Sequence, residues 1–303
     1  MPISPKIEAS RIAYAMRDCP TGVKEPEILV REAIERHASN IAVSCSFGSC
    51  SVVVLHMALK VKPDIKVVFN NTGVEYPETY AYRDLLKKEW NLNLIETKPY
   101  KYILHPTKHK MVLADFWNCI DIFGFPLIRS EYAWQKHKQP SEKPQCCIYL
   151  KELPMNRACV RHGISATITG LRCSESGVRM FVVAQRGQYY HTTKWGSLWR
   201  YHPIAFWTHE QVWNYLKEND IPINQIYFKG KDRSGCMPCT GFLNWEAQLA
   251  RANPKMYRYV QKLRKVPLLD DYLQAEDERL RIATRQFQRP VCDPSEEVLE
   301  AVE

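Results

Sequence analysis

The chain has 303 residues, 45% hydrophobic and 25% charged, the balance of a soluble globular protein with room for one α/β domain and an extension. Its 42 lysines and arginines against 33 acidic residues give a net charge of +9, which suits a polyanionic partner, either a nucleotide or a nucleic acid. No apolar run approaches the ~18 residues of a membrane span, and residues 1–11 lack the apolar core of a signal peptide, so a cytoplasmic protein with no membrane partner is expected. In that setting structural disulfides are a poor account of 11 cysteines, which point instead to metal binding or sulfur chemistry.

Residues 27–38 carry apolar side chains at helical spacing (Ile28, Leu29, Ala33, Ile34). Ile41-Ala42-Val43 reads as a buried strand, residues 44–51 as a small polar run, and residues 52–59 as an apolar helix. Lys66-Val67-Val68-Phe69 is a second buried strand, ending in Asn70-Asn71-Thr72-Gly73. Residues 77–90 read as a helix and residues 92–95 as a third strand. This alternation predicts an α/β fold, a parallel twisted sheet flanked by helices. Residues 167–170 are a further strand and 210–218 a helix; 245–263 and 268–287 read as two C-terminal helices broken near Pro267. Residues 135–145 and 229–235 read as loops. Residues 186–202 interleave Tyr189, Tyr190, Trp195, Trp199 and Tyr201 with Arg186, Lys194 and Arg200. That stretch is either a stacking platform for unpaired bases or a set of side chains buried between sheet and helices. Residues 98–110 and 251–265 add positive charge, including Lys255, Lys262 and Lys265.

The loop after the first strand is the first candidate site. Ligands on parallel sheets bind beyond the carboxyl ends of strands. Small residues let the backbone approach an anion, and the following helix aims free N–H groups at it. Ser44, Ser46, Phe47, Gly48, Ser49 and Ser51 are therefore candidate nucleotide-binding residues. Ser46-Phe47-Gly48-Ser49-Cys50-Ser51 resembles the phosphate loop of the PP-loop superfamily of adenine nucleotide α-hydrolases, in the form found in PAPS and APS reductases. The ATP-cleaving branch has Lys-Asp where this chain has Ser49-Cys50, so a cation that would counter pyrophosphate is missing. Asn70-Asn71-Thr72-Gly73-Val74-Glu75-Tyr76-Pro77-Glu78-Thr79 is similar to a second segment of that family; the resemblance implies that Asn71, Thr72, Gly73 and Glu75 line the nucleotide site. Gly170-Leu171-Arg172-Cys173-Ser174-Glu175-Ser176-Gly177-Val178-Arg179 resembles a third, with Gly170 at the nucleotide and Arg172 and Arg179 placed to clamp phosphate or sulfate. Tyr201 to Trp213 resembles a fourth. The resemblance divides the chain into a nucleotide-binding domain, residues 1–242, and a C-terminal helical extension, residues 243–303.

Cys146-Cys147 and the later Cys236-Met237-Pro238-Cys239 make four thiolates, enough for zinc or an iron–sulfur cluster, and spacing does not separate the two. The pairing resembles the Cys-Cys and Cys-x-x-Cys that hold a 4Fe–4S cluster in APS reductases and in the sulfurtransferases of DNA phosphorothioation (the Dnd and Ssp systems). Cys45, Cys50 and Cys173 fall inside the nucleotide segments, as reactive thiols or as small buried residues; Cys50 is the candidate catalytic thiol, with Arg172 and Arg179. Cys19, Cys119 and Cys159 read as core or incidental. The reductases attack sulfate with a cysteine in a C-terminal Glu-Cys-Gly-x-His motif, whereas this chain has Arg289-Pro290-Val291-Cys292-Asp293-Pro294, which leaves Cys292 as the alternative attacking thiol among neighbours that do not match. With that motif absent, the first expectation is an iron–sulfur, adenine-nucleotide-binding sulfurtransferase that thiolates nucleic acid, as in DNA phosphorothioation, with a cysteine desulfurase as sulfur donor. The alternatives are an assimilatory APS or PAPS reductase that makes sulfite, and a non-catalytic nucleotide- or nucleic-acid-binding subunit.

Overall fold

A computed structural model describes residues 3–17, 19–126, 145–193 and 197–264. Lys194, Trp195, Lys265, the helix expected at 268–287, Cys292 and nearly all of the loop expected at 135–145 lie outside the described residues.

The sheet has six strands: β1 (Ile41–Ser44), β2 (Lys66–Asn70), β3 (Asn93–Thr97), β6 (Ala166–Thr169), β7 (Tyr189–Thr192) and β8 (Leu198–Tyr201), in the order β3-β2-β1-β6-β8-β7. All neighbours are parallel except the edge pair β7–β8. Strand order reverses direction at β1, so the gap between the ends of β1 and β6 is the switch point where such sheets bind ligands. β1 and β2 read as near-continuous apolar runs because both faces are covered, as in parallel sheets generally. One face is covered by α2 (Pro26–His37) and α3 (Ser49–Val61), whose Leu29, Val30, Val53 and Met57 share a core with Val43, Val67 and Ile168, and on the other Ala42 and Val68 pack with Ala158 and Cys159 of the helix Leu153–Arg161.

Several elements were not expected from the sequence. Helix α1 (Pro5–Arg17) packs on α7 (Gly177–Arg186), with Tyr14 edge-on to Phe181. A separate antiparallel hairpin joins β4 (Tyr102–His105) to β5 (Lys110–Leu113), and Ile103 on its inner side packs toward Cys146 and Phe116. Between α4 (Pro77–Glu89) and β6 lie α5 (Phe116–Phe123) and a helical run through Gln145–Cys147, a π-helical stretch Ile148–Glu152 and α6 (Leu153–Arg161). The aromatic stretch is the β7–β8 edge. Tyr189 stacks on Tyr201 at 5.6 Å, Arg36 lies 4.1 Å over Trp199, and Tyr201 is buried. Those rings pack against the core and do not form an open base platform.

Helix α8 (His209–Glu218) starts on a reciprocal cap between Thr208 and Gln211. The region read as one helix from 245 is two, α9 (Trp245–Ala252) and α10 (Pro254–Arg264). Both pack on Tyr76, Ile226 and Phe242 through Trp245, Leu249, Tyr257 and Val260. Among the described residues no helix is long and apolar enough to cross a membrane.

Candidate active site

The loop between β1 and α3 is held from both sides. Phe47 has a left-handed backbone (φ 56°), uncommon for a residue with a side chain, and its ring is buried against Phe69 at 5.3 Å. Asn224 Nδ2 donates to the Phe47 carbonyl at 3.1 Å from outside the loop. Ser49, Cys50 and Ser51 form the first turn of α3, three residues earlier than the helix read from the sequence. Phe47 thus anchors the loop through its side chain, and only its backbone faces the site. The loop N–H groups have acceptors already: Cys45 Sγ for Phe47 (3.4 Å), Ser51 Oγ for Gly48 (3.2 Å) and the Tyr227 hydroxyl for Ser49 (2.8 Å). The Ser46 hydroxyl lies 3.2 Å from that of Ser234.

The loop after β6 lies directly against this turn. A Cβ on Gly170 would overlap the Cys50 backbone, so only glycine allows the approach. Arg172 is buried and donates to Glu8 Oε1 (2.7 Å), Ser174 Oγ (3.1 Å) and the Trp207 carbonyl (3.3 Å). Of the two arginines expected to clamp an anion, Arg172 is engaged by Glu8, on a helix the sequence did not reveal, and Arg179 lies beside Glu175. Arg179 pairs with Glu175, whose Oε1 accepts from the Cys50 thiol at 3.6 Å. Burial and the charge of Arg233 pull Arg179 down to about 10. Cys50, Glu175 and Arg179 thus form one group beside the phosphate loop.

All four cysteines of the two pairs line a single cavity of about 180 Å³, together with Lys151, Lys231 and Arg233. The hydrogen bond from Cys146 holds the Cys147 thiol low, with Lys151 adding to the effect, while the same bond and burial push Cys146 up. Negative charge at Cys236 and Glu75 holds the Lys151 ammonium above its usual range. Lys231 is buried over Tyr76 (5.2 Å) and Phe242 (4.7 Å), and burial brings it down to about 8. Among the described residues no three His, Cys, Asp or Glu side chains are placed to hold a single metal ion.

The second segment divides between two jobs. Thr72 donates to Glu75 at 2.9 Å and accepts from Cys236 Sγ at 3.4 Å, and Glu75 forms a β-bridge with Cys236. Burial raises the Glu75 carboxyl. These two residues thus meet the thiol cavity through Cys236, which lines it. Asn71 is used within its own turn, accepting from Gly73 N (2.8 Å) and Tyr80 OH (2.8 Å), with Gly73 at φ 80°. Cys45 and Cys173 are buried and raised to about 11 by burial, the state of structural thiols. Cys119 and Cys159 are buried in the core.

The sequence reading missed Glu8, Lys151, Tyr227, Lys231, Arg233 and Ser234. Lys151 had a signal, since it falls four residues after Cys147 on one helical face. Lys231, Arg233 and Ser234 stood in plain view before Cys236, in a segment read only as a loop.

Residues 40–242 match the phosphoadenosine phosphosulfate reductase domain. The chain belongs to that family. Adenosine 5′-phosphosulfate reductase of Staphylococcus epidermidis is 27% identical over 212 residues, 70% of this chain and 75% of that one. Phosphoadenosine 5′-phosphosulfate reductase of Xanthomonas axonopodis pv. citri is 29% identical over 232 residues, 74% of this chain and 80% of that one. The solved PAPS reductase of Candida auris, a phosphate complex, superposes with a TM-score of 0.51 at 19% identity, covering 78% of this chain and 97% of that one, a likeness of fold. These relatives are named as reductases of sulfonucleotides, and that overturns the expectation of a nucleic-acid thiolation enzyme of the phosphorothioation type. The missing Lys-Asp pair agrees, since it removes what ATP cleavage would call on.

Proposed function

We propose that this protein is a sulfonucleotide reductase, taking APS or PAPS and releasing sulfite. The observation that carries the reading is continuity. The phosphate loop meets Ser234, and two residues further on Cys236 enters the cavity of four thiols. A nucleotide phosphate on the loop would put its sulfuryl group near Arg179 and Arg233, two cations suited to a dispersed anionic charge.

The attacking group in this reading is Cys50. Glu175 takes the thiol proton across the 3.6 Å contact. The sulfur then attacks the sulfuryl sulfur, an S–S bond forms, and the S–O bond breaks with its electron pair leaving on AMP or 3′-phospho-AMP. Arg179 balances the charge. An external dithiol attacks the resulting thiosulfonate, releases sulfite and becomes a disulfide, supplying both electrons. Arg172 is a positioning residue here, holding the loop after β6 through Glu8.

Cys146, Cys147, Cys236 and Cys239 would hold a 4Fe–4S cluster. What supports this reading is that all four thiols line one cavity, the donor set a cluster takes. Lys151, Lys231 and Arg233 would offset the thiolate charge. Bound there, the cluster supplies a redox-capable charged centre beside the sulfuryl position.

Sulfite release from APS and from PAPS, with a dithiol reductant, tests the reading. Cys50→Ser should abolish it and Cys292→Ser should leave it. The reverse pattern moves the attack to Cys292, and no sulfite from either substrate refutes the reductase. Anaerobically purified protein should carry about four iron and four sulfide per chain, lost in Cys239→Ser.

A further inference from the structure

We infer that Tyr227 is a positioning residue of the phosphate loop, whose hydroxyl stands where a ligand oxygen will bind and whose displacement links ligand binding to the Cys236–Cys239 segment. The inference takes its ligand, an anionic nucleotide, from the function proposed above.

Helix α3 begins at Ser49, so the N–H groups there are the natural seat of an anion. Two of the three loop N–H groups are satisfied by buried atoms of the loop itself, Cys45 Sγ and Ser51 Oγ. The third, Ser49 N–H, is satisfied from far along the chain by Tyr227, which also donates to Ser49 Oγ at 3.3 Å. The hydroxyl thus occupies one of the first-turn N–H donors that a phosphate or sulfate would use. Its ring is fixed edge-on to Trp213 at 5.2 Å, and its segment is fixed by Asn224, which reaches both Phe47 O and Thr79 Oγ1. Ser234 covers the same turn: a Cβ on Gly48 would run into its hydroxyl.

An oxyanion is a stronger acceptor than a neutral hydroxyl, and the helix dipole favours it further. It therefore takes Ser49 N–H from Tyr227. Tyr227 and Ser234 bracket one short connection, and the chain then pairs with the second segment through Met237 N to Val74 O (2.7 Å) and the Glu75–Cys236 bridge. Movement at the loop is thus passed to the thiols by the covalent chain.

Calorimetry with AMP and APS on wild type and Tyr227→Phe decides the matter. Removal of the competing acceptor should tighten binding about five-fold, the scale of one hydrogen bond. Weaker binding would make Tyr227 a ligand donor, and unchanged binding would make it a bystander; either overturns the inference. Nucleotide should also change tryptophan emission in wild type, and that change should vanish in Trp213→Phe while binding persists. A change that survives in Trp213→Phe argues against displacement of the ring. If wild type binds neither nucleotide, the reductase reading falls, and inorganic sulfate then carries the same comparison: tighter sulfate binding in Tyr227→Phe supports the inference, and no difference overturns it.

Discussion

Glu8 Oε1 accepts from Arg172 (2.7 Å), Ser174 Oγ (3.0 Å) and His209 N (2.9 Å), tying α1 to the loop after β6 and to the start of α8. Glu8→Ala would take the nearer counter-charge from a buried guanidinium, leaving only Glu175 at 3.6 Å, a loss of up to about 3–5 kcal/mol. A fall in the urea midpoint beyond that of Glu8→Gln is the expected result; equal falls would mean the charge is unimportant. His202 gives a prediction in pH. It is buried, bonded to Thr169 at 2.7 Å, and held down to about 3 by burial. An unfolded histidine takes a proton near pH 6.5 and the folded one only near 3, so acid favours the unfolded chain across that window. The stability contributed by the neutral ring is complete above the window and lost as pH falls through it. His202→Asn should therefore lose less stability than wild type between about pH 7.5 and pH 5, as read from urea midpoints.

At the scale of elements, the two loop glycines make different forecasts. A Cβ on Gly170 meets Cys50 backbone, which has nowhere to go, whereas on Gly48 it meets the Ser234 side chain, which can turn away. Gly170→Ala should abolish nucleotide binding and lower the melting temperature, and Gly48→Ala should weaken binding with little change in melting. Binding retained in Gly170→Ala would mean the two loops do not share a ligand. β1, β2 and α4 were legible because apolar runs and a proline start mark them. The β4–β5 hairpin was not, because Tyr102, Leu104 and Met111 put apolar side chains on its exposed side and the alternation loses its meaning. Helix α1 was hidden for the opposite reason, since it buries a glutamate. The break at Asn253 before Pro254 was visible in principle, as proline ends or begins a helix but does not continue one.

Over the whole molecule, the phosphate loop and the cysteine pairs were readable as local motifs, while the cations between them were not, because only the fold brings Lys151 and Arg233 to one cavity. The match to the family ends at 242, yet Trp245, Leu249, Tyr257 and Val260 beyond it share a cluster with Tyr76 and Ile226. A chain cut after residue 242 should expose that surface and aggregate or melt at lower temperature; a soluble truncation with unchanged melting would show that the C-terminal helices are dispensable. The sheet order has a consequence for how the protein is made. β1 is made before its neighbour β6, which follows Cys146 and Cys147, and the second cysteine pair is made later still. The first pair therefore waits, half a site without its partner, until nearly all the described chain has been synthesised. If the cavity takes the proposed cluster, its assembly can begin only once Cys236 and Cys239 have joined Cys146 and Cys147 in the folded chain.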